Sequence, residues 1–101
     1  MKFDCLDLEN IVGFEWDEGN IHKNEDKHNL KWSTIEEVFF NDPLLVVEDF
    51  KHSQIECRCV ALSKNDLHDL LTVVFSIRAK LIRVISARPM SKKERIIYER
   101  A

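Results

Sequence analysis

Residues 70–88 read LLTVVFSIRAKLIRVISAR, two runs of aliphatic and β-branched residues on either side of Ala79-Lys80. These residue types favour strands, and a short connection between two strands makes a hairpin. A connection of two or four residues places Ser76 opposite Arg83 and Val74 opposite Ile85. One face of the hairpin is then predicted to hold Thr72, Val74, Ser76, Arg78, Arg83, Ile85 and Ala87. The other face, towards the helices, is predicted to hold Val73, Phe75, Ile77, Ile82, Val84, Ser86 and Arg88.

The residues before the hairpin predict one strand and two helices. Ile11–Trp16 is rich in β-branched and aromatic residues and predicts a first strand. Asp17 is expected to cap a helix that runs to about residue 31, with Asn29 near its end. Ser33-Thr34-Ile35-Glu36 has the pattern of a capping box, and Asp42-Pro43 is expected to end that second helix.

Two more strands and a last helix complete the predicted order. Leu44–Glu48 and Ile55–Leu62 have strand patterns. Ser91-Lys92-Lys93-Glu94 is a second capping box and opens a helix whose Ile96, Ile97 and Tyr98 are available for burial. The order is β-α-α-β-β-β-β-α, which predicts an α+β fold with a mostly antiparallel sheet.

The composition indicates one soluble domain. The chain has 101 residues, 45% hydrophobic and 33% charged, and the 2 glycines and 2 prolines leave few breaks. We expect residues 1–101 to form a single domain with an acidic extension at 1–10. The acids near the N-terminus and the short apolar runs do not fit a signal peptide or a membrane span, so we expect a cytoplasmic protein with no membrane partner.

The three cysteines, Cys5, Cys57 and Cys59, are expected to be free thiols. A zinc site usually needs about four ligands, and no second cysteine pair or closely spaced histidine pair accompanies the Cys57-x-Cys59 pair. We predict no metal and no cofactor.

Charge is divided between the two halves. Residues 1–50 carry 4 basic and 13 acidic residues, a net charge of −9, and residues 51–101 carry 11 basic and 5 acidic, a net charge of +6. All six arginines lie in the second half. This division fits either a basic surface that meets phosphate or two halves that neutralise each other.

Short motifs spread from residue 14 to residue 98 resemble, in order and spacing, the BrnT family of bacterial toxins. They are Phe14-Glu15-Trp16-Asp17-Glu18, Asn24, Lys27-His28, Phe39-Phe40-Asn41-Asp42-Pro43, Asp49 with His52, Glu56-x-Arg58, Ser76-x-Arg78, Arg83-Val84-Ile85-Ser86-Ala87-Arg88, and Glu94-Arg95 with Tyr98. The resemblance implies a compact RelE-like fold. It also implies the ribonuclease half of a type II toxin–antitoxin pair.

Metal-independent RNA cleavage needs a base for the 2′-hydroxyl, cations for the developing phosphorane charge and an acid for the leaving oxygen. Through the resemblance, the catalytic candidates are His28, His52, Glu56, Arg58, Arg78 and Arg83. The candidates for RNA binding are Lys27, Arg88, Lys92 and Lys93.

Structural interpretations of the same residues stay open. His28 can interact with the carbonyls at a helix end, and His52 can stabilise a turn with Asp49. Glu56 and Arg58 can form an exposed ion pair. Arg78 and Arg83 share a predicted face with Ser76 and fit a phosphate clamp, or they lie on a solvated edge.

The partner implied by the resemblance is a cognate DNA-binding antitoxin, BrnA-like, in a heterotetramer, and the implied substrate is RNA. An alternative is a catalytically weak or inactive module that binds RNA or antitoxin with the same fold. It is favoured by the acidic pI and by Asn20, where the family usually has lysine. A third interpretation is an interaction protein that uses its charge division only for docking.

Overall fold

The computed structural model describes residue 8 and residues 10–49 and 58–101. The predictions for Cys5, Cys57, His52 and Glu56 lie outside these residues. The described part has the predicted α+β architecture, in the predicted element order. Its elements are β1 (Gly13–Glu15), α1 (Lys23–His28), α2 (Trp32–Glu36), a 3₁₀ helix (Glu37–Phe40), β2 (Leu45–Glu48), β3 (Arg58–Lys64), β4 (Leu70–Arg78), β5 (Leu81–Pro89) and α3 (Lys92–Glu99).

The strands form one sheet in the order β1-β5-β4-β3-β2. All neighbouring strands are antiparallel except β1 and β5, which are parallel. The sheet is therefore mostly antiparallel, as predicted. No helix in the described residues is long and apolar enough to cross a membrane.

The β4–β5 hairpin keeps the predicted register only near its turn. Ala79 and Lys80 connect the strands with φ of 51° and 66°, both left-handed as in a type I′ turn. Ser76 pairs with Arg83, as predicted. The predicted pairing of Val74 with Ile85 is wrong, because Val74 pairs with Ser86 and Ile85 is the extra residue of a β-bulge.

The bulge exchanges the two faces of β5 beyond residue 85. Ala87 pairs with Val73 and is buried in the core, and Arg88 pairs with Thr72. Ser86 and Arg88 therefore lie on the face of Ser76 and Arg83, where Ala87 was expected. This correction matters because it places Arg88 on the same face as the hairpin arginines.

Parallel pairing of β1 covers only the first three residues of β5, from Leu81 to Arg83. Side chains of the segment around α1 then bind the uncovered edge. Asn20 and Lys23 donate to the carbonyls of Val84 and Ile85, and the Asn24 Oδ1 accepts from the Ala87 N–H at 3.1 Å. Side-chain amide and ammonium groups thus provide hydrogen-bond partners for the backbone groups of β5 where its pairing with β1 stops.

The first helix is shorter than predicted. Asp17 does not cap it. Residues 17–22 form turns in which the Asp17 carbonyl accepts from Asn20 and Ile21 N–H, and Gly19 disfavours the helical conformation there. The predicted end is confirmed, since Asn29 is left-handed with φ 58° and ψ 37°.

The second helix begins one residue before the predicted cap. Ser33 lies inside α2, and the cap residue Lys31 has no side-chain cap bond, so the predicted capping box is wrong. The Glu36 carboxylate instead accepts from Trp16 Nε1 at 2.8 Å, which links α2 to the chain after β1. The helix tightens into the 3₁₀ turn and ends before the cis Asp42-Pro43 bond.

The core lies between these helices and one face of the sheet. Its buried sheet residues alternate along β3 and β4, and along β5 except where the bulge adds one residue, as expected of a half-buried antiparallel sheet. They are Cys59, Ala61, Leu71, Val73, Phe75, Ile82, Val84 and Ala87. The Phe39 ring packs edge-on against Phe75 with centroids 5.1 Å apart, which joins the 3₁₀ helix to the sheet.

The capping box of α3 is confirmed. The Ser91 hydroxyl accepts from Glu94 N–H, and the Glu94 carboxylate accepts from Ser91 N–H. Of the three side chains expected to be buried, only Tyr98 is, and its hydroxyl donates to the Pro43 carbonyl at 2.7 Å. Ile96 and Ile97 are 47% and 55% exposed.

Candidate active site on the sheet

Three polar residues lie side by side across the sheet face opposite the core. Arg58 on β3 pairs with Ser76 on β4, and Ser76 pairs with Arg83 on β5. Residues in register across neighbouring strands point to the same face, and strands lie about 4.8 Å apart. The two arginine Cα atoms are therefore about 10 Å apart. We call Arg58, Ser76 and Arg83 the arginine row.

Ser76 is fully buried in the middle of the arginine row. Its hydroxyl has no hydrogen-bond partner among the described residues. Because serine is small, it leaves room for the two long guanidinium side chains on its flanks. The row can therefore present two planar groups of donors to one anion.

A cleft of about 320 Å³ opens beside the arginine row. It is lined by Asp17, Gly19, Asn20, Lys23, Arg58, Arg83, Val84 and Ile85. Three of these side chains are cationic, and Asp17 is the single carboxylate among them. The cleft therefore has the charge expected of an anion-binding site.

Two side-chain hydrogen bonds fix the backbone that forms one wall of the cleft. Lys23 Nζ donates to the Ile85 carbonyl at 3.1 Å, and the Asn20 amide donates to the Val84 carbonyl. These two carbonyls follow Arg83 directly in β5, so the bonds fix the backbone that carries its guanidinium. No local signal in the sequence places Lys23 or Asn20 beside Arg83, because their backbone partners lie more than 60 positions away.

Asp17 faces Arg83 across the cleft. Its Oδ2 lies 3.8 Å from Arg83 Nη2, and the two side chains are 57% and 33% exposed. An exposed pair at this distance contributes little to stability. Its consequence is electrostatic, because a carboxylate beside Arg83 reduces the attraction of the cleft for phosphate.

The other predicted catalytic residues with described positions lie outside the cleft lining. Arg78 is exposed at the end of β4, two residues beyond Ser76 on the same face. His28 is half-buried in the last turn of α1, and Lys27 is exposed beside it. Lys27 follows Lys23 by four residues, so it lies about 6 Å further along the same side of the helix.

Arg88, a predicted RNA-binding residue, contacts the last helix. Its guanidinium donates to both carboxylate oxygens of Glu94, at 2.7 and 2.9 Å. Thr72 donates to the same carboxylate at 2.8 Å. The Arg88 hydrogen bond, with help from Ser91 and Thr72, lowers the pKa of Glu94 to about 2 despite its burial. Arg88 thus anchors the start of α3, and its role in RNA binding stays a prediction.

Lys92 and Lys93 are exposed in the first turn of α3. Their contact with RNA stays a prediction. In residues 8, 10–49 and 58–101, no group of three or more His, Cys, Asp or Glu side chains is arranged to hold a metal ion.

A second cleft, of about 290 Å³, lies beside β1. All its lining residues are apolar or glycine, and they are Leu8, Ile11, Val12, Gly13, Phe14, Phe39, Phe40 and Ile82. No side chain that lines this cleft can bind phosphate or move a proton, whereas three cationic side chains line the arginine cleft.

A comparison with known protein families finds the same family that the sequence motifs resemble. No curated protein matches the chain. The family model described as the ribonuclease toxin, BrnT, of type II toxin-antitoxin systems matches residues 16–94 of the 101. The match spans Asp17, Lys23 and the whole arginine row, and a toxin of this class acts with an antitoxin partner. The chain therefore belongs to the BrnT family of ribonuclease toxins.

Proposed function

We propose that the protein is a metal-independent endoribonuclease that inhibits growth by cutting RNA, and that the arginine row binds the phosphate at the cleaved bond. The single observation that supports this proposal is the register that aligns Arg58, Ser76 and Arg83 beside a cationic cleft.

The proposed clamp works by charge placement. Guanidinium groups bind phosphate oxygens bidentately, and two of them approach one phosphate from both sides. As the 2′-oxygen attacks phosphorus, negative charge grows on the non-bridging oxygens. Fixed cations at that position stabilise the transition state more than the ground state. Lys23 adds a third cation on the α1 side of the cleft.

Proton transfer completes the proposed reaction. The 2′-oxygen–phosphorus bond forms as a base takes the hydroxyl proton, and the bond to the 5′-oxygen breaks as an acid protonates it. His28, His52 and Glu56 are the candidates for these two roles through the family resemblance. The products are a 2′,3′-cyclic phosphate and a 5′-hydroxyl.

We infer that the antitoxin of this chain is a BrnA-like protein with a DNA-binding half. Proteins that read palindromic DNA do so as dimers, so two antitoxins would carry two toxins in a heterotetramer. Native mass spectrometry of the coexpressed pair tests this stoichiometry, and a 1:1 mass would contradict it.

Cleavage is tested with purified protein and a defined single-stranded RNA in the presence of EDTA. We expect cleavage that persists in EDTA and fragments that end in cyclic phosphate. Arg83→Ala should abolish most of the cleavage, and Lys31→Ala, which removes an exposed cation at the start of α2, should not. Cleavage that stops with EDTA would contradict a metal-independent mechanism.

A second candidate function is a module that binds RNA or antitoxin without cutting RNA. The observation that favours it is the cleft itself, in which Asn20 uses its amide on the Val84 carbonyl and Asp17 pairs with Arg83. Inducible expression without a partner separates the two candidates. Slow growth with fragmented RNA supports the ribonuclease, whereas normal growth and intact RNA at high soluble expression support the binding module.

A further inference from the structure

We propose that the outer surface of α3 is a docking site for an acidic and apolar segment of the antitoxin. The inference rests on the proposed function only in naming the antitoxin as the partner. The surface consists of Ile96 and Ile97 with the cations around them, Lys92, Lys93 and Arg100.

The two isoleucines are exposed on a helix whose opposite side is hydrogen-bonded to the rest of the fold. On the inner side of α3, Tyr98 is hydrogen-bonded to the Pro43 carbonyl. Glu94, on the same side, is paired with Arg88. Ile96 and Ile97 therefore point outward from a rigid support rather than from a loose end. Together they form a small exposed apolar patch with polar residues around it, which is the kind of surface that a partner can cover.

Helical spacing surrounds these isoleucines with positive charge. Lys92 and Arg100 lie four residues before and after Ile96, and Lys93 lies four residues before Ile97. Residues four apart are neighbours on a helix surface. Glu99 is the one exposed acid of α3, since Glu94 is paired with Arg88. A segment with apolar side chains flanked by carboxylates complements this surface in both shape and charge.

The position of α3 lets one partner block the active site. Glu94, in the first turn, binds Thr72, which lies on the sheet face of the arginine row. Thr72 precedes Ser76 by four residues in β4, a distance of about 13 Å along a strand. An antitoxin segment seated on α3 can therefore extend a further acidic group into the arginine cleft, where Asp17 already contacts Arg83.

The test measures affinity between purified toxin and the purified antitoxin encoded by the adjacent gene. Ile96→Asp with Ile97→Asp should weaken binding at least tenfold, and Arg100→Glu should weaken it and reduce its salt dependence. Leu67→Asp is the matched control, because Leu67 is an apolar residue 76% exposed in the β3–β4 loop. Cleavage of RNA by the isolated isoleucine variant should equal that of the wild type.

Melting curves identify any variant that fails to fold, and Ile96→Ser with Ile97→Ser then replaces the aspartates with a milder change. Unchanged antitoxin affinity in the folded isoleucine variants would overturn the proposal, as would a wild type that does not bind this antitoxin. Loss of RNA cleavage with intact antitoxin binding would assign α3 to RNA instead. If the wild type cuts no RNA but the isoleucine variants still lose the antitoxin, the proposed ribonuclease activity fails and the docking site stands.

Discussion

Arg58 and Arg83 are in register with the same residue, Ser76, on opposite sides of β4. They are separated by 25 positions in sequence but by only two strand spacings in the sheet. The arrangement depends on the pairing of β3, β4 and β5, which fixes the backbone positions from which both guanidinium groups extend.

Arg83→Ala should reduce affinity for RNA about tenfold or more, because a charge-assisted contact to phosphate is lost. The slope of log affinity against log salt should become shallower by about 1. Arg78→Ala, a change on the same strand face outside the cleft lining, should have a smaller effect. Fluorescence anisotropy over a salt series measures both quantities, and equal effects of the two variants would mean that the cleft is not the main phosphate site.

Asp17→Asn should tighten RNA binding several-fold at low salt. The substitution removes the carboxylate that lies 3.8 Å from Arg83 Nη2 and keeps the side-chain shape. Glu18→Gln is the control, since it removes the same charge from the adjacent exposed position. If both variants gain affinity equally, net charge alone explains the result and Asp17 has no special place in the site.

Glu94→Gln should destabilise the fold by roughly 2 kcal/mol at pH 7, because the carboxylate pairs with Arg88 and caps α3. Glutamine can still accept at the third helical position, so the variant reports mainly the charge. The pKa of Glu94 is lowered from 4.5 to about 2, so its contribution is complete above pH 4.5 and is lost as pH falls towards 2.

The difference in unfolding free energy between wild type and Glu94→Gln should therefore shrink over that pH range. Denaturant titrations at several pH values measure it. Glu99→Gln, an exposed change in the same helix, should show almost no difference at any pH. A pH-independent gap for Glu94→Gln would contradict the ion pair.

Ala79→Asn with Lys80→Gly should raise stability by about 1 kcal/mol or more. Both positions have positive φ, which costs about 1 kcal/mol per residue with a β-carbon and which asparagine and glycine adopt more readily. Lys80→Ala is the control, since it removes the charge but keeps the unfavourable backbone. Thermal melts compare the three proteins, and a lower Tm for the Asn-Gly turn would show that the native side chains make compensating contacts.

Local signals in the sequence predicted the hairpin turn, the left-handed Asn29 and the capping box of α3 correctly, because each depends on residues within a few positions. The bulge at Ile85 carries no such signal, since it lies in a continuous apolar run that fits a regular strand equally well. The short first helix had a signal in Gly19, but its true start is determined by bonds from Asn20 and Lys23 to β5. Of the site, the arginines could be predicted from register and family motifs. The place of Lys23 and Asp17 in the cleft could not, because tertiary contacts bring them there, and Asn20 was marked only as a departure from the usual lysine of the family.

The bulge also affects how this sequence should be compared with others. Before residue 85 the side chains at odd positions of β5 point to the face of the arginine row, and after it those at even positions do. The alternation of the strand therefore changes phase at the bulge. An alignment that moves a gap across Ile85 would equate Ala87, which is buried, with Arg88, which anchors α3. Deleting Ile85 itself would remove the bulge and leave Ser86, Ala87 and Arg88 on their present faces, because the extra residue is what changes the phase of the strand.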